Sequence, residues 1–217
     1  MSSSVTFNGY QPLSLPVWKS FEKMDEKEAA NYFNWFLGHV DERSDYLIQR
    51  VSATLCISAN ELNFSLQSLI PIWHWFLSAV EVCETPKNVL NKMQKKIGRR
   101  NYEFANDMIR ANSIELSPLS RYVIRDIGMY VGKMFVNNYN VLRWDYHTNI
   151  KQDSFANIPQ VFGFINCAYT PPFEMQFDPI HYVEMTASNI FDNTETKLDL
   201  YNTCKKWLQW IPTSMIE

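Results

Sequence analysis

The sequence predicts an α+β fold: a mainly helical single domain over residues 1–217, with a small antiparallel sheet in its C-terminal half. Three observations carry that reading. Apolar residues recur through much of the chain at i, i+3, i+4 and i+7, the spacing that places them on one face of a helix. After Asn140 the period changes, and VLRW and QVFGFI are short apolar runs rich in β-branched and aromatic residues, which read as strands. The composition, 46% hydrophobic and 20% charged with six glycines, is that of a globular chain, and 217 residues are enough to bury a sizeable core. A helical part spans about residues 24–111. A further helix, the sheet and the closing helices span about residues 117–217.

The elements follow in order. About 23 residues form an extended lead, with Pro12 and Pro16 arguing against a helix there. Asp25 and Glu28 have the spacing of a capping box. A helix follows with Ala29, Phe33, Phe36, Leu37 and Val40 as its buried stripe, and Leu47, Ile48, Val51 and Leu55 extend the period past the charged residues 41–43. This makes either two helices or one bent near Gly38. Ser65 or Ser68 caps the next helix, where Pro71 is tolerable because early N–H groups lack intrahelical partners. The phrases NWFLGHV at 34–40 and HWFLSAV at 74–80 align Trp35 with Trp75, Phe36 with Phe76 and Val40 with Val80. A solenoid needs about three copies, and no third follows, so the simplest reading is two helices burying similar faces in a shared core. Leu90, Met93 and Ile97 oppose Lys92, Lys95, Lys96 and Arg99, the pattern of an amphipathic surface helix.

Ser117 and Pro118 start a helix that runs to about Asn137. Its interior, RDIGMYVGKMF, places Gly128 and Gly132 on one face, where each glycine costs about 1 kcal/mol relative to alanine unless something uses the space. Asp126, Gly128, Tyr130 and Gly132 therefore outline a helix groove. Packing is the expected use, with Asp126 in a structural hydrogen bond; a ligand reaching the backbone is the alternative. Asn157-Ile-Pro159 leads into the second strand, and Thr170-Pro-Pro172 breaks the chain. The stretches 180–191 and 196–211 read as helices.

Several function classes are disfavoured. The net charge of -3 gives no general attraction to nucleic acid or acidic membranes, although residues 86–110 carry seven Lys/Arg against two acids. Residues 62–80 lack a formal charge but hold too many polar side chains for a membrane span. The first residues lack a basic stretch followed by an apolar one, so no secretory signal is expected and the expected compartment is cytoplasmic. Cys56, Cys83, Cys167 and Cys204 are widely spaced and read as free, mostly buried thiols. Phosphate-loop, dinucleotide-binding and nucleophile-elbow motifs are absent, and no cofactor is expected.

The chemistry-bearing candidates are few. Asp145-Tyr-His147 and Asp178-Pro-Ile-His181 place an acid near a histidine outside the aromatic helices, so Asp145, His147, Asp178 and His181 form the alternative of a metal site. His39 and His74 read as core or boundary residues. Seven Trp, eleven Tyr and fourteen Phe exceed what the core stripes require, which makes Tyr139, Trp144, Tyr146 and Tyr169 candidates for an exposed binding patch. The series Trp-Phe-Leu helix, DIGMYVG at 126–132, LRW at 142–144 and NIPQVFGF at 157–164 resembles an uncharacterised family of bacterial cytoplasmic proteins, over roughly residues 15–185. That resemblance implies a bacterial intracellular protein and carries over no functional residue. The expected function is a non-enzymatic protein-interaction module of immunity or regulatory type, binding a protein partner. The alternative is a metal-assisted hydrolase using the His147 and His181 region.

Overall fold

In the computed structural model, which describes residues 6–7, 9–16, 20–97, 113–148 and 155–212, helix α1 (Glu26–Leu55) runs unbroken through both Gly38 and the charged residues after it. Its start is the expected capping box: Asp25 accepts from the Glu28 amide at 2.9 Å, and the Glu28 carboxylate accepts from the Asp25 amide at 3.0 Å. Helix α2 (Leu69–Ala79) follows a 3-10 turn at Leu66–Ser68 that is capped by Ser65. Next come strand β1 (Val82–Glu84), helix α3 (Lys87–Ile97), strand β2 (Ile114–Leu116) and helix α4 (Pro118–Asn138). Strands β3 (Arg143–Asp145), β4 (Gln160–Asn166) and β5 (Phe173–Phe177) precede helices α5 (Pro179–Ala187) and α6 (Asp199–Trp207). The fold is mainly helical α+β, and its three-stranded antiparallel sheet, order β3-β4-β5, lies in the C-terminal half as expected.

Two differences concern strands. An antiparallel pair, β1 with β2, brackets α3; β1 lies inside the part expected to be helical, about 24–111, and β2 just beyond it. Strand β5 directly follows the expected break at Thr170-Pro-Pro172, in a stretch for which the sequence predicts no element, and its Phe173, Met175 and Phe177 alternate in the way a strand requires. Between Val161 and Phe164 the β4–β5 register shifts, and Gly163 occupies that irregularity at φ +107. A Cβ there would lie 2.3 Å from the Val141 carbonyl oxygen, so only glycine fits both the conformation and the space.

The core divides in two. The larger cluster joins Leu47 and Val51 of α1 to Trp73, Trp75 and Phe76 of α2, to α4, and to Phe164 and Phe177 of the sheet. A smaller cluster holds Met24, Ala29, Tyr32, Phe36, Val40 and Met129. The two matching aromatic phrases therefore bury similar faces in different clusters. The reason is length: a 30-residue helix extends about 45 Å, and α2 shares a cluster with its second half while the first phrase occupies the first half. Phe33 and Leu37, expected in the buried stripe, are half-buried. Among the cysteines only Cys204 is buried; Cys56 and Cys167 are exposed and Cys83 is intermediate, which corrects the expectation of mostly buried thiols. Lys92 and Lys95 of helix α3 are exposed and Leu90 and Met93 half-buried, in keeping with the amphipathic reading, while the side chains of Lys96 and Ile97 and all of Arg99 lie outside the described residues. No described helix is long and apolar enough to cross a membrane.

Helix α4 holds the halves together. Asp126, 1% exposed, receives both Nε and Nη2 of Arg43 from α1, and its Oδ2 also accepts from the Tyr10 hydroxyl at 2.5 Å. Burial pushes the Asp126 carboxyl upward, but the forked guanidinium and the Tyr10 hydroxyl favour the ionised form, and the same contacts raise Arg43 against its own burial. The pair is ionic. Removing one partner of such a pair strands a buried charge at about 3–5 kcal/mol, although the intact pair need not add net stability over apolar residues of similar volume.

The two glycines of α4 do what their spacing implies. A Cβ on Gly128 would meet the Ile180 backbone at 2.8 Å, and one on Gly132 would meet the Trp144 ring at 2.1 Å. Gly38 on α1 is a contrast, with nothing within 4 Å. Gly38→Ala is expected to stabilise the protein by about 0.5–1 kcal/mol, whereas Gly128→Ala is expected to destabilise it by about 1–3 kcal/mol through overpacking against backbone. Urea unfolding of both variants checks the pair, and a neutral Gly128→Ala would show that α5 does not rest on that backbone.

Candidate functional site

Ile180 seats α5 against Gly128, and Arg125, one turn earlier, falls on the same face of α4. Between them lies a cavity of about 450 Å³. Its apolar wall comes from Leu15 and Pro16 of the lead, Phe21 and Met24 at the approach to α1, and Ile158 and Pro159 ahead of β4. Its polar wall is Tyr32, Arg125, Asp178, His181 and Glu184. A second cavity of about 280 Å³ shares Asp178 and His181 and continues to His147, Phe155, Gln160, Gln176 and Tyr182. The two chambers thus meet at the first turn of α5.

The polar groups differ in how they are satisfied. Asp178 caps α5 by accepting from the His181 amide at 3.0 Å. Burial pushes its carboxyl above the usual value, and the amides of His181 and Ile180 with the His181 charge pull the other way without cancelling that push. Burial also pushes up the Tyr32 hydroxyl, on which Arg125 and Asp178 act with opposite signs. All three groups line the larger chamber. Arg125 makes no ion pair among the described residues, and its Nη1 is buried without a hydrogen-bond partner; the guanidinium lies 5.5 Å from the Tyr122 ring centre. Gln160 is 3% exposed, and its Oε1 likewise has no partner. An unmet buried polar atom costs about 1–3 kcal/mol; both atoms belong to residues that line a chamber but are themselves enclosed by protein, so a bound group would reach either only after a side-chain shift.

The residues singled out in the sequence fare unequally. His147, Asp178 and His181 do line one cavity, while Asp145 turns away to Arg143, 3.5 Å distant, and to the Tyr146 amide. Among the described residues no three His, Cys, Asp or Glu side chains come together as ligands for a metal. The helix groove is filled: Gly128 by Ile180, Gly132 by Trp144. Tyr130 is buried and bonded to the Ser68 hydroxyl and the Phe64 amide, and Asp126 is held by Arg43.

The four aromatics do not make one exposed patch. Trp144 is half-buried, edge-on to Phe36 at 5.1 Å, and Tyr146 packs on Phe33 at 4.7 Å, so both serve as a lid over the first half of α1. Tyr139 packs on the larger cluster. Tyr169 alone is exposed, at 59%, beside Phe173 at the far end of the β4–β5 hairpin. The sequence reading missed Arg125, Gln160 and Tyr32. The available signal was a polar residue at a core-facing position, such as Gln160 directly before VFGF. No protein-family model matches the chain, and neither a curated protein nor a solved structure matches it.

The Asp178 carboxyl yields a pH prediction. A carboxyl raised in the folded state favours folding below its unfolded value and loses that contribution as pH rises through the folded value. Asparagine caps a helix about as well as aspartate and carries no charge. Asp178→Asn is therefore expected to match the parent near pH 3 and to exceed its stability increasingly as pH rises through the folded value, with no further gain above it. Thermal unfolding across that range checks it. A variant less stable than the parent at the upper end would show that the ionised carboxylate already has a partner.

Proposed function

We propose that this chain is a non-enzymatic binding module, and that it binds through the double cavity at the first turn of α5 instead of through an exposed aromatic patch. One observation carries the reading: two adjoining chambers share Asp178 and His181 in their walls, and the larger sets Arg125, Tyr32 and Asp178 among apolar side chains. Ligand sites are commonly concave, mostly apolar, about 300–1,000 Å³ in volume, and furnished with a few convergent polar groups. The larger chamber has that form. A regulatory or immunity-type role, with ligand occupancy setting the affinity for a protein partner, belongs to the same proposal.

The second reading is a metal-assisted hydrolase. It is favoured by His147 and His181 sharing the smaller chamber, and it is opposed by the lack of three convergent ligands among the described residues. Zinc at one per chain, lost together with a hydrolytic activity in His147→Ala, would reverse the order of the two readings.

A ligand-observed NMR screen of small acids, amines, zwitterions and neutral compounds tests the binding proposal. Saturable binders are expected whose signals are lost when Ile158→Trp fills the larger chamber, and weakened in Arg125→Met should the filled variant not fold. Binders indifferent to both substitutions, or no binders, would contradict the assignment of this cavity.

A further inference from the structure

We propose that strand β5 pairs with β5 of a second copy of this chain, antiparallel about a two-fold axis at Met175, so that two three-stranded sheets become one continuous sheet.

The edge is open. Strand β5 has β4 along one side, and among the described residues no backbone N–H or C=O of Phe173–Phe177 bonds to anything on the other. An open edge is a template for a further strand, and folded proteins guard such edges with charges, prolines or bulges. The far edge of this sheet is guarded in that way: β3 carries both Arg143 and Asp145 within its three residues. Strand β5 holds no proline, lysine or arginine, and its one charge, Glu174, is already paired with Arg143 at 3.1 Å. Phe173 at its start is 46% exposed, beside the exposed ring of Tyr169. Pro171 and Pro172 precede the strand and Pro179 follows Asp178, so a ladder can run along β5 but not past it.

The side chains select the partner and the register. The order Phe-Glu-Met-Gln-Phe reads nearly the same in both directions, which suits a contact of one surface with its own copy. A two-fold axis normal to the sheet keeps the core-facing side chains of both copies on one side, so one residue of the strand must lie opposite itself. Centring on Glu174 opposes two carboxylates, and centring on Gln176 sets Glu174 opposite Asp178; like charges directly opposite destabilise a pair. Centring on either phenylalanine draws a proline into the ladder. Centring on Met175 sets Glu174 opposite Gln176 at both symmetric positions, a carboxylate facing a carboxamide that can donate to it. The same register lays Phe173 opposite Phe177 of the second copy, whose ring packs on Tyr182 and Trp207. Those two rings also line an open groove of about 360 Å³ with Met185 and Trp210, so the exposed phenyl is set on the side of the sheet that carries an aromatic-walled space.

Sedimentation velocity of the full chain over a wide concentration range tests the pairing, together with two substitutions at the exposed Gln176. The parent is expected to pass from monomer to dimer as concentration rises. Gln176→Lys should set an ammonium group opposite each Glu174 and lower the dimer Kd about fivefold, whereas Gln176→Glu should oppose carboxylates at both positions and raise it about fivefold. A folding defect cannot produce opposite signs at one position. A monomer at every concentration would overturn self-pairing and leave the edge to a strand from another protein. A dimer indifferent to both substitutions would place the contact on another face, and a dimer weakened by both would set Gln176 opposite itself; either result overturns the pairing about Met175.

Discussion

Helix α4 has no side chain at Gly128 and Gly132, and the placement of the C-terminal half depends on what moves into those two spaces. Ile180 enters the first and brings α5 against the α4 backbone. Because Arg125 stands one turn before Gly128, the same contact sets Asp178 and His181 across from it and creates the larger chamber. Trp144 enters the second space and anchors β3. Strand β4 pairs with β3 in the register that sets Gln160 opposite Asp145, which fixes a wall of the smaller chamber. One helix face thus positions both chambers.

Adjacent residues of that helix show how scaffold and site differ in polar bookkeeping. Asp126 is buried and met by three donor groups, Arg43 through Nε and Nη2 and the Tyr10 hydroxyl, which lock the lead and α1 onto α4. Tyr130, one turn on, is bonded to Ser68 and Phe64. Arg125 precedes Asp126 directly and keeps a buried N–H without a partner. Satisfied buried polar groups specify a unique arrangement. An unsatisfied one beside a cavity is a position that an ordered water or a bound group can complete.

The sequence made the architecture legible wherever a local rule applied. The capping box of Asp25 and Glu28, the Ser117-Pro118 start of α4, the close-packing glycines and the switch to strand period after Asn140 all appear as read. Partners in space were not legible. Gly128 and Gly132 announced a close approach, but nothing local identifies Ile180 and Trp144 as the groups that make it. The aromatic surplus was misread as exposure because the first half of α1 needs a cover from outside the helices, and Trp144 and Tyr146 supply it. Arg125 and Gln160 matter only through neighbours contributed by α5 and the lead, so no one-dimensional pattern marks them.

The most direct measurement is an amide and arginine side-chain NMR map of the full chain titrated with a saturable binder from the ligand-observed screen. Shifts concentrated at Arg125 Nε–H, at the amides of Ile180 and His181, and around Gln160 are the predicted result. Shifts confined to the exposed hairpin end at Tyr169 and Phe173, with the α5 start unmoved, would contradict the account.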